Sequence, residues 1–180
     1  MSYDLTIFRP DAAPRTRKQF MNWFDKQAEW SEEHNYDNPE ICSADMQAWF
    51  KEIIQTFPAL NGPYAVEDTD NENVTDYCIG KDIIYVGFSW SVAEKAYEVM
   101  KTTAEKHNVG FYDTSADDGD ILFPDGNGKN QPIDSPDNLS SIQQIKGWAK
   151  RGQENFSIEE IVFSRVNVNS LTKKWWQFWK

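Results

Sequence analysis

Apolar and polar residues alternate along several short runs of the chain, and this period of two predicts β-strands. The predicted strands cover residues 3–8, 75–79, 83–90, 109–113 and 120–123. Gly80-Lys81 lies between the second strand and the third, where a tight hairpin turn would sit. We therefore expect these two strands to pair in antiparallel fashion.

Apolar residues at intervals of three and four predict three helices, each with one buried stripe. The predicted helices cover residues 16–30, 43–57 and 91–106. Ser43 is the expected N-cap of the second helix, and Pro58 ends it because the residue before a proline avoids the helical conformation. Ser91 and Glu94 have the spacing of a capping box and predict the start of the third helix.

The order of these elements predicts the fold class. It reads strand, helix, helix, strand, strand, helix, strand, strand over residues 1–124. This order is typical of an α+β domain, with an antiparallel or mixed sheet and helices on one face. The β-α-β-β-α-β core also suits a ferredoxin-like arrangement.

A C-terminal extension is predicted for residues 125–180. Proline and glycine are frequent over 124–138, which indicates a loop or linker. Apolar spacing favours a helix at 139–149, and β-branched alternation favours a strand at 158–168. The last eight residues place four aromatic side chains between lysines, so this tail either folds back onto the domain or anchors a partner.

The charge of the chain limits its partners. Asp and Glu total 29 against 18 Lys and Arg, for a net charge of −11, and the whole acidic excess lies within residues 1–125. Nucleic-acid binding needs clustered cations, so it is not expected, and binding to anionic membranes is disfavoured for the same reason. The sequence has neither a secretory signal nor an apolar run long enough for a membrane span, which predicts a cytoplasmic protein.

Catalytic and cofactor motifs are not found in the sequence. Two cysteines and two histidines are too few for a disulfide scaffold or a histidine-based metal centre. The chain contains no Gly-x-Ser-x-Gly elbow and no phosphate-binding glycine loop. We therefore expect no cofactor and no enzymatic activity.

Carboxylates are concentrated in two predicted loops. The candidate partner-binding residues are Asp68, Asp70 and Glu72 in the first loop, and Asp117, Asp118 and Asp120 in the second. Such clusters can bind a hard cation, supply a catalytic carboxylate pair, dock on a basic protein, or simply form solvated turns. The spacing does not match an EF-hand, and nothing in the sequence pairs two of these carboxylates for catalysis.

An alternative function follows from polar residues beside large aromatic ones at the ends of predicted elements. Trp30, Asp76, Tyr77 and Trp90 could line one pocket of a small-molecule-binding domain or an enzyme. Half-buried aromatic residues with hydrogen-bonded polar tips would give the same pattern.

Several stretches of residues 1–123 resemble a group of small acidic bacterial proteins of unassigned activity. The stretches are 2–5 (SYDL), 56–64 (TFPALNGPY), 75–80 (TDYCIG), 88–91 (FSWS) and 109–113 (VGFYD), and the ending KKWWQFWK is also similar. Some members of the group resemble immunity proteins of toxin–immunity pairs. The resemblance implies a non-enzymatic inhibitor of a cognate bacterial toxin, and the acidity of the chain favours a nuclease or nucleotide-consuming toxin with a basic surface.

Overall fold

Six strands form one antiparallel sheet in the computed structural model of the protein, which describes residues 2–133. The strands are β1 (Tyr3–Phe8), β2 (Asp76–Ile79), β3 (Ile83–Phe88), β4 (Gly110–Asp113), β5 (Ile121–Pro124) and β6 (Asn130–Pro132). They are arranged in the order β2-β3-β1-β4-β5-β6. Strands β1 and β4 are therefore central, and the hairpin of β2 and β3 forms one edge.

Within the described residues, three α-helices accompany the sheet: α1 (Arg17–Gln27), α2 (Ala44–Ile53) and α3 (Ala93–Lys106). Ser43 caps α2 as predicted, because its hydroxyl oxygen accepts the amide proton of Met46 at 3.4 Å. The α+β class and the α-helical stretches are confirmed. Each prediction extends past the observed helix by one to four residues at one or both ends, because α1 and α2 end in hydrogen-bonded turns and α3 is preceded by a 3₁₀ turn.

The helices lie on both faces of the sheet, so the expectation of helices on one face is wrong. Alternation along β1 puts Leu5 and Ile7 on one face and Thr6 and Phe8 on the other. Helices α2 and α3 cover the first face, which we call the α2–α3 face. Helix α1 covers part of the second, the α1 face, where Phe20 packs on Phe8.

Interlocking aromatic and polar contacts hold the α2–α3 face together. The indole nitrogen of Trp49 on α2 donates to Thr103 Oγ1 on α3 at 2.9 Å, and both side chains are buried. Tyr97 of α3 meets Phe111 of β4 edge to face, with ring centroids 5.2 Å apart. Burial of each large side chain of this kind stabilises the fold by roughly 1.5–3 kcal/mol.

The α1 face has a second aromatic cluster around Phe8. Its ring crosses above Gly110 on β4, where a Cβ atom would lie only 2.1 Å from the ring, so only glycine fits at this position. Phe20 of α1 and Phe123 of β5 contact the same ring edge to face. This cluster lies toward the end of the sheet where β1 ends and β4 begins.

Two local predictions are wrong. Ser91 and Glu94 do not form a capping box, because the residue at the start of α3 is Val92, without a side-chain cap. The Ser91 hydroxyl instead donates to Glu72 in the preceding loop. The predicted linker at 124–138 contributes strand β6, so the sheet continues to Pro132. The helix predicted at 139–149, the strand at 158–168 and the aromatic tail at 173–180 lie outside the described residues.

Candidate functional site

The direction of the strands brings the two acidic loops to one end of the sheet. In an antiparallel sheet the starts of β1, β2 and β5 meet the ends of β3 and β4. The loop at 66–75 precedes β2, and the loop at 114–120 joins β4 to β5. We call this end of the sheet the acidic end. The strands β2 and β4 are three places apart, so the two loops are separated laterally by about 14 Å.

The loop at 66–75 is exposed and has a defined path. The carboxylate of Asp68 accepts the amide proton of Asp70 at 3.2 Å, and Asn71 and Asn73 form a similar turn. Glu72 accepts a hydrogen bond from the Ser91 hydroxyl at 2.9 Å, which fixes this loop to the turn after β3. The three predicted carboxylates of this loop therefore reach solvent from an ordered backbone.

The loop at 114–120 presents Asp117 and Asp118 to solvent. Ser115 anchors its first part, because its hydroxyl oxygen accepts the amide proton of Asp4 at 2.6 Å. A Cβ atom on Gly119 would lie 1.8 Å from the carbonyl oxygen of Asp113, so the tight return into β5 requires glycine. The loop is thus closely packed against the sheet behind its two exposed carboxylates.

Asp120 is buried, which corrects its prediction as a partner-binding residue. Its side chain accepts a hydrogen bond from the Tyr97 hydroxyl. Asp113 beside it is also buried and accepts a hydrogen bond from Tyr3 at 3.3 Å. Burial raises the pKa of Tyr3 and Tyr97, and the nearby carboxylates raise it further, so both phenols stay protonated donors. These four side chains are part of the core.

A carboxylate pair that sequence reasoning missed lies on the α1 face at the acidic end. Asp4 on β1 and Asp76 on β2 both pair with Gly87 of β3, one from each side. Burial raises the pKa of both, hydrogen bonds from Ser2 and Tyr85 partly offset the effect at Asp4, and the charge of Asp4 raises the pKa of Asp76 further. The alternation of β1 and β2 places both residues on one face, but only the strand order makes them neighbours across Gly87.

The predicted pocket residues do not line one cavity. Asp76 and Tyr77 are consecutive in β2 and point to opposite faces, and the Tyr77 hydroxyl is buried against the carbonyl oxygen of Phe57. Trp30 packs against Tyr36 and lies near Gly80, at the other end of β2 from Asp76. Trp90 is 42% exposed and packs on Tyr3 at the acidic end.

The histidines and cysteines of the described residues have structural contacts. His34 accepts the Tyr36 amide proton at Nδ1, so its Nε2 proton faces Glu32 at 2.6 Å. His107 binds Glu52 at 2.7 Å and joins α3 to α2. Burial raises the pKa of Cys42 and of Cys78 to about 12, so both thiols are protonated near neutral pH.

Within residues 2–133, no group of three or more His, Cys, Asp or Glu side chains is arranged to hold a metal ion. No helix in that part of the chain is long and apolar enough to cross a membrane. Comparison of the chain with protein-family models, curated proteins and solved structures finds no match.

Proposed function

We propose that this protein is an immunity protein: a non-enzymatic, cytoplasmic inhibitor that binds a basic surface of a cognate bacterial toxin and neutralises it. The observation that carries the proposal is the position of both acidic loops at one end of the sheet. Five of the six predicted contact carboxylates remain exposed there: Asp68, Asp70, Glu72, Asp117 and Asp118.

The charge of this end is poorly compensated by its own cations. Arg17 directs its guanidinium to the carbonyl oxygen of Gly119 at 3.0 Å, and Lys95 donates to the side chain of Asn73 at 2.9 Å. Neither cation forms an ion pair with one of the five exposed carboxylates. A concentrated field of one sign accelerates association with an oppositely charged protein by roughly 10–1,000-fold.

A nuclease or nucleotide-consuming toxin is the partner class that this surface favours. Such an enzyme carries cations where its phosphate substrate binds, and an acidic protein surface can occupy the same place. The resemblance of residues 1–123 to small acidic bacterial proteins, some of which resemble immunity proteins, supports a toxin as the partner. The exposed carboxylates of the loop at 66–75 then act in place of substrate phosphates.

We also propose that β1–β4 with α2 and α3 form a ferredoxin-like core. The order β2-β3-β1-β4, the antiparallel pairing of neighbours and the position of α2 and α3 on one face support this assignment. Helix α1 and the strands β5 and β6 are additions to that core. One face of the core is closed by α2 and α3, while the loops of the acidic end are free for a partner.

The proposed function is tested by binding to the protein encoded by the adjacent gene. We expect a stable complex of the two purified proteins in isothermal titration calorimetry. Reversal of all five exposed carboxylates to lysine should weaken binding by at least about 100-fold, since each rim charge contributes to complementarity. Five matched changes to Asn and Gln should give an intermediate loss. Absence of a complex, or a charge-reversed variant that binds as the wild type does, would exclude the proposal.

A further inference from the structure

We propose that the loop at 59–75 and Trp90 make the contacts that slow dissociation of the toxin. Their exposed apolar side chains enter an apolar pocket of the toxin that is ringed by lysine and arginine. This inference rests on the proposed function and identifies which part of the acidic end holds the partner. The other acidic loop, at 114–120, contributes mainly to the speed of encounter.

Three of the four large hydrophobic side chains left exposed in residues 2–133 lie in the loop at 59–75, and the fourth precedes Ser91, which is hydrogen-bonded to Glu72 of that loop. They are Leu60, Tyr64, Val66 and Trp90, with exposed fractions between 36% and 47%. We call these four residues the apolar patch. Single exposed hydrophobic residues are ordinary on protein surfaces, but three within seven residues of one exposed loop are typical of an interaction site. Tyr and Trp are also the residue types that most often dominate binding energy.

The backbone that carries the patch is fixed in advance. The amide of Leu60 donates to the carbonyl oxygen of Thr75 at 2.9 Å, and the amide of Val66 donates to that of Ala59 at 3.0 Å. The ring of Tyr64 rests edge-on against Phe50 of α2, with centroids 5.5 Å apart. A binding loop that is already ordered loses little conformational freedom on association, which favours affinity.

Trp90 borders the same loop. Its neighbour Ser91 donates to Glu72 at 2.9 Å, and Lys95 on α3 donates to Asn73 at 2.9 Å. The ring of Trp90 packs on Tyr3, with centroids 5.2 Å apart, and this contact holds the indole in place. Trp90 is thus adjacent in sequence to the residue whose hydroxyl bonds Glu72.

Charge complementarity defines the partner. Between residues 52 and 80 the sequence contains no lysine or arginine, while Glu67, Asp68, Asp70 and Glu72 follow directly on the apolar residues of the loop. A pocket that accepts the patch must therefore present cations around its rim. A second copy of this chain does not fit, because a symmetric contact would bring the same acidic loops together.

Substitutions in the two acidic loops should affect different rate constants: association for the loop at 114–120 and dissociation for the loop at 59–75. The probe is the protein encoded by the adjacent gene, immobilised for biolayer interferometry against the full chain. We expect Leu60→Ser, Tyr64→Ala and Trp90→Ala each to raise the dissociation rate by at least about tenfold, with association rates within about threefold of the wild type. The matched control, Asp117→Lys with Asp118→Lys, should lower the association rate several-fold at low salt and leave the dissociation rate nearly unchanged.

The possible results distinguish failure of this inference from failure of the proposed function. Circular dichroism and urea unfolding first establish that the variants fold. If the wild type binds the probe and all three patch variants dissociate as it does, the inference is wrong while the proposed function stands. Absence of any wild-type complex overturns both. A free protein that is dimeric by analytical ultracentrifugation, and that becomes monomeric in Trp90→Ala, would assign the patch to self-association and also overturn the inference.

Discussion

Asp4 and Asp76 face each other across Gly87 on the α1 face of the sheet, and each lies in a position where its negative charge is disfavoured. A protein selected only for stability would avoid two such neighbours. Their presence agrees with a surface in which acidity is retained at some loss of stability, as is common where a site must bind a charged partner. Asp4 and Asp76 should therefore weaken the fold near neutral pH.

The substitution Asp4→Asn should stabilise the protein near neutral pH. It removes a partly buried charge and its repulsion with Asp76, and the expected increase in the free energy of unfolding is up to about 1 kcal/mol in urea denaturation at pH 7. The matched control is Asp11→Asn on the exposed connector after β1, which should leave stability within about 0.5 kcal/mol of the wild type.

The pH dependence of this gain follows from the raised pKa of Asp4. Below its ordinary value of 3.8 the carboxyl is protonated in both folded and unfolded states, so no penalty exists there. The penalty grows as pH rises from 3.8 through the higher folded pKa and is complete above it. The advantage of Asp4→Asn should therefore be full at pH 7 and vanish below about pH 4. A variant that is less stable than the wild type at pH 7 would contradict this assignment.

The substitution Tyr97→Phe should destabilise the fold by about 1–3 kcal/mol, because it removes the hydroxyl that donates to the buried side chain of Asp120. Thermal unfolding monitored by circular dichroism measures the change. Tyr64→Phe removes a hydroxyl from an exposed ring and serves as the control, with an expected change within about 0.5 kcal/mol. Equal effects of the two substitutions would show that Asp120 does not depend on Tyr97.

The substitution Gly119→Ala should cost about 1–3 kcal/mol or more, because the new methyl group would collide with the backbone carbonyl of Asp113. Gly87→Ala meets only ordinary contacts at 3.5 Å and beyond, so its effect should stay below about 1 kcal/mol. Chemical denaturation of both variants tests the comparison. Similar midpoints for the two variants would mean that the turn at 114–120 is not as tight as described.

The two thiols should react slowly in the folded protein. A thiol pKa of about 12, against an ordinary value of 9.0, lowers the thiolate population at pH 8 by about a thousandfold. Iodoacetamide labelling followed by mass spectrometry should therefore modify Cys42 and Cys78 far more slowly in buffer than in urea. Cys42 should be the slower of the two, since it is also buried and bonded to Gly80. Labelling of Cys42 in buffer at the rate seen in urea would contradict this environment.

Local sequence signals predicted the fold where they were not overridden by distant contacts. The alternation of residues 3–8 and the N-cap at Ser43 were sufficient for β1 and for the start of α2. The stripe of Phe20 and Phe24 predicted that α1 buries one side, but the spacing of a stripe does not say which face of the sheet it covers. The capping box failed because Ser91 binds Glu72, which is distant in sequence.

The features of the candidate site also divide into those set by local sequence and those set by contacts between distant residues. Composition predicted that the loops at 66–75 and 114–120 are acidic, and turn residues predicted that they are loops. Asp120 could not be distinguished from Asp117 and Asp118 by sequence, because its partner Tyr97 lies 23 residues away on α3. Strand order places both loops at one end of the sheet and makes Asp4 and Asp76 neighbours. The alternation of apolar and polar residues does not encode strand order.

The central claim, that the acidic end neutralises a protein toxin, is tested most directly by titrating the activity of that toxin. The purified protein encoded by the adjacent gene is assayed on nucleic acid and nucleotide substrates while this chain is added in increasing amounts. We expect activity to fall to zero near one equivalent, whereas the variant with all five exposed carboxylates reversed should need a large excess. A toxic activity that persists unchanged in the presence of excess wild-type protein would contradict it.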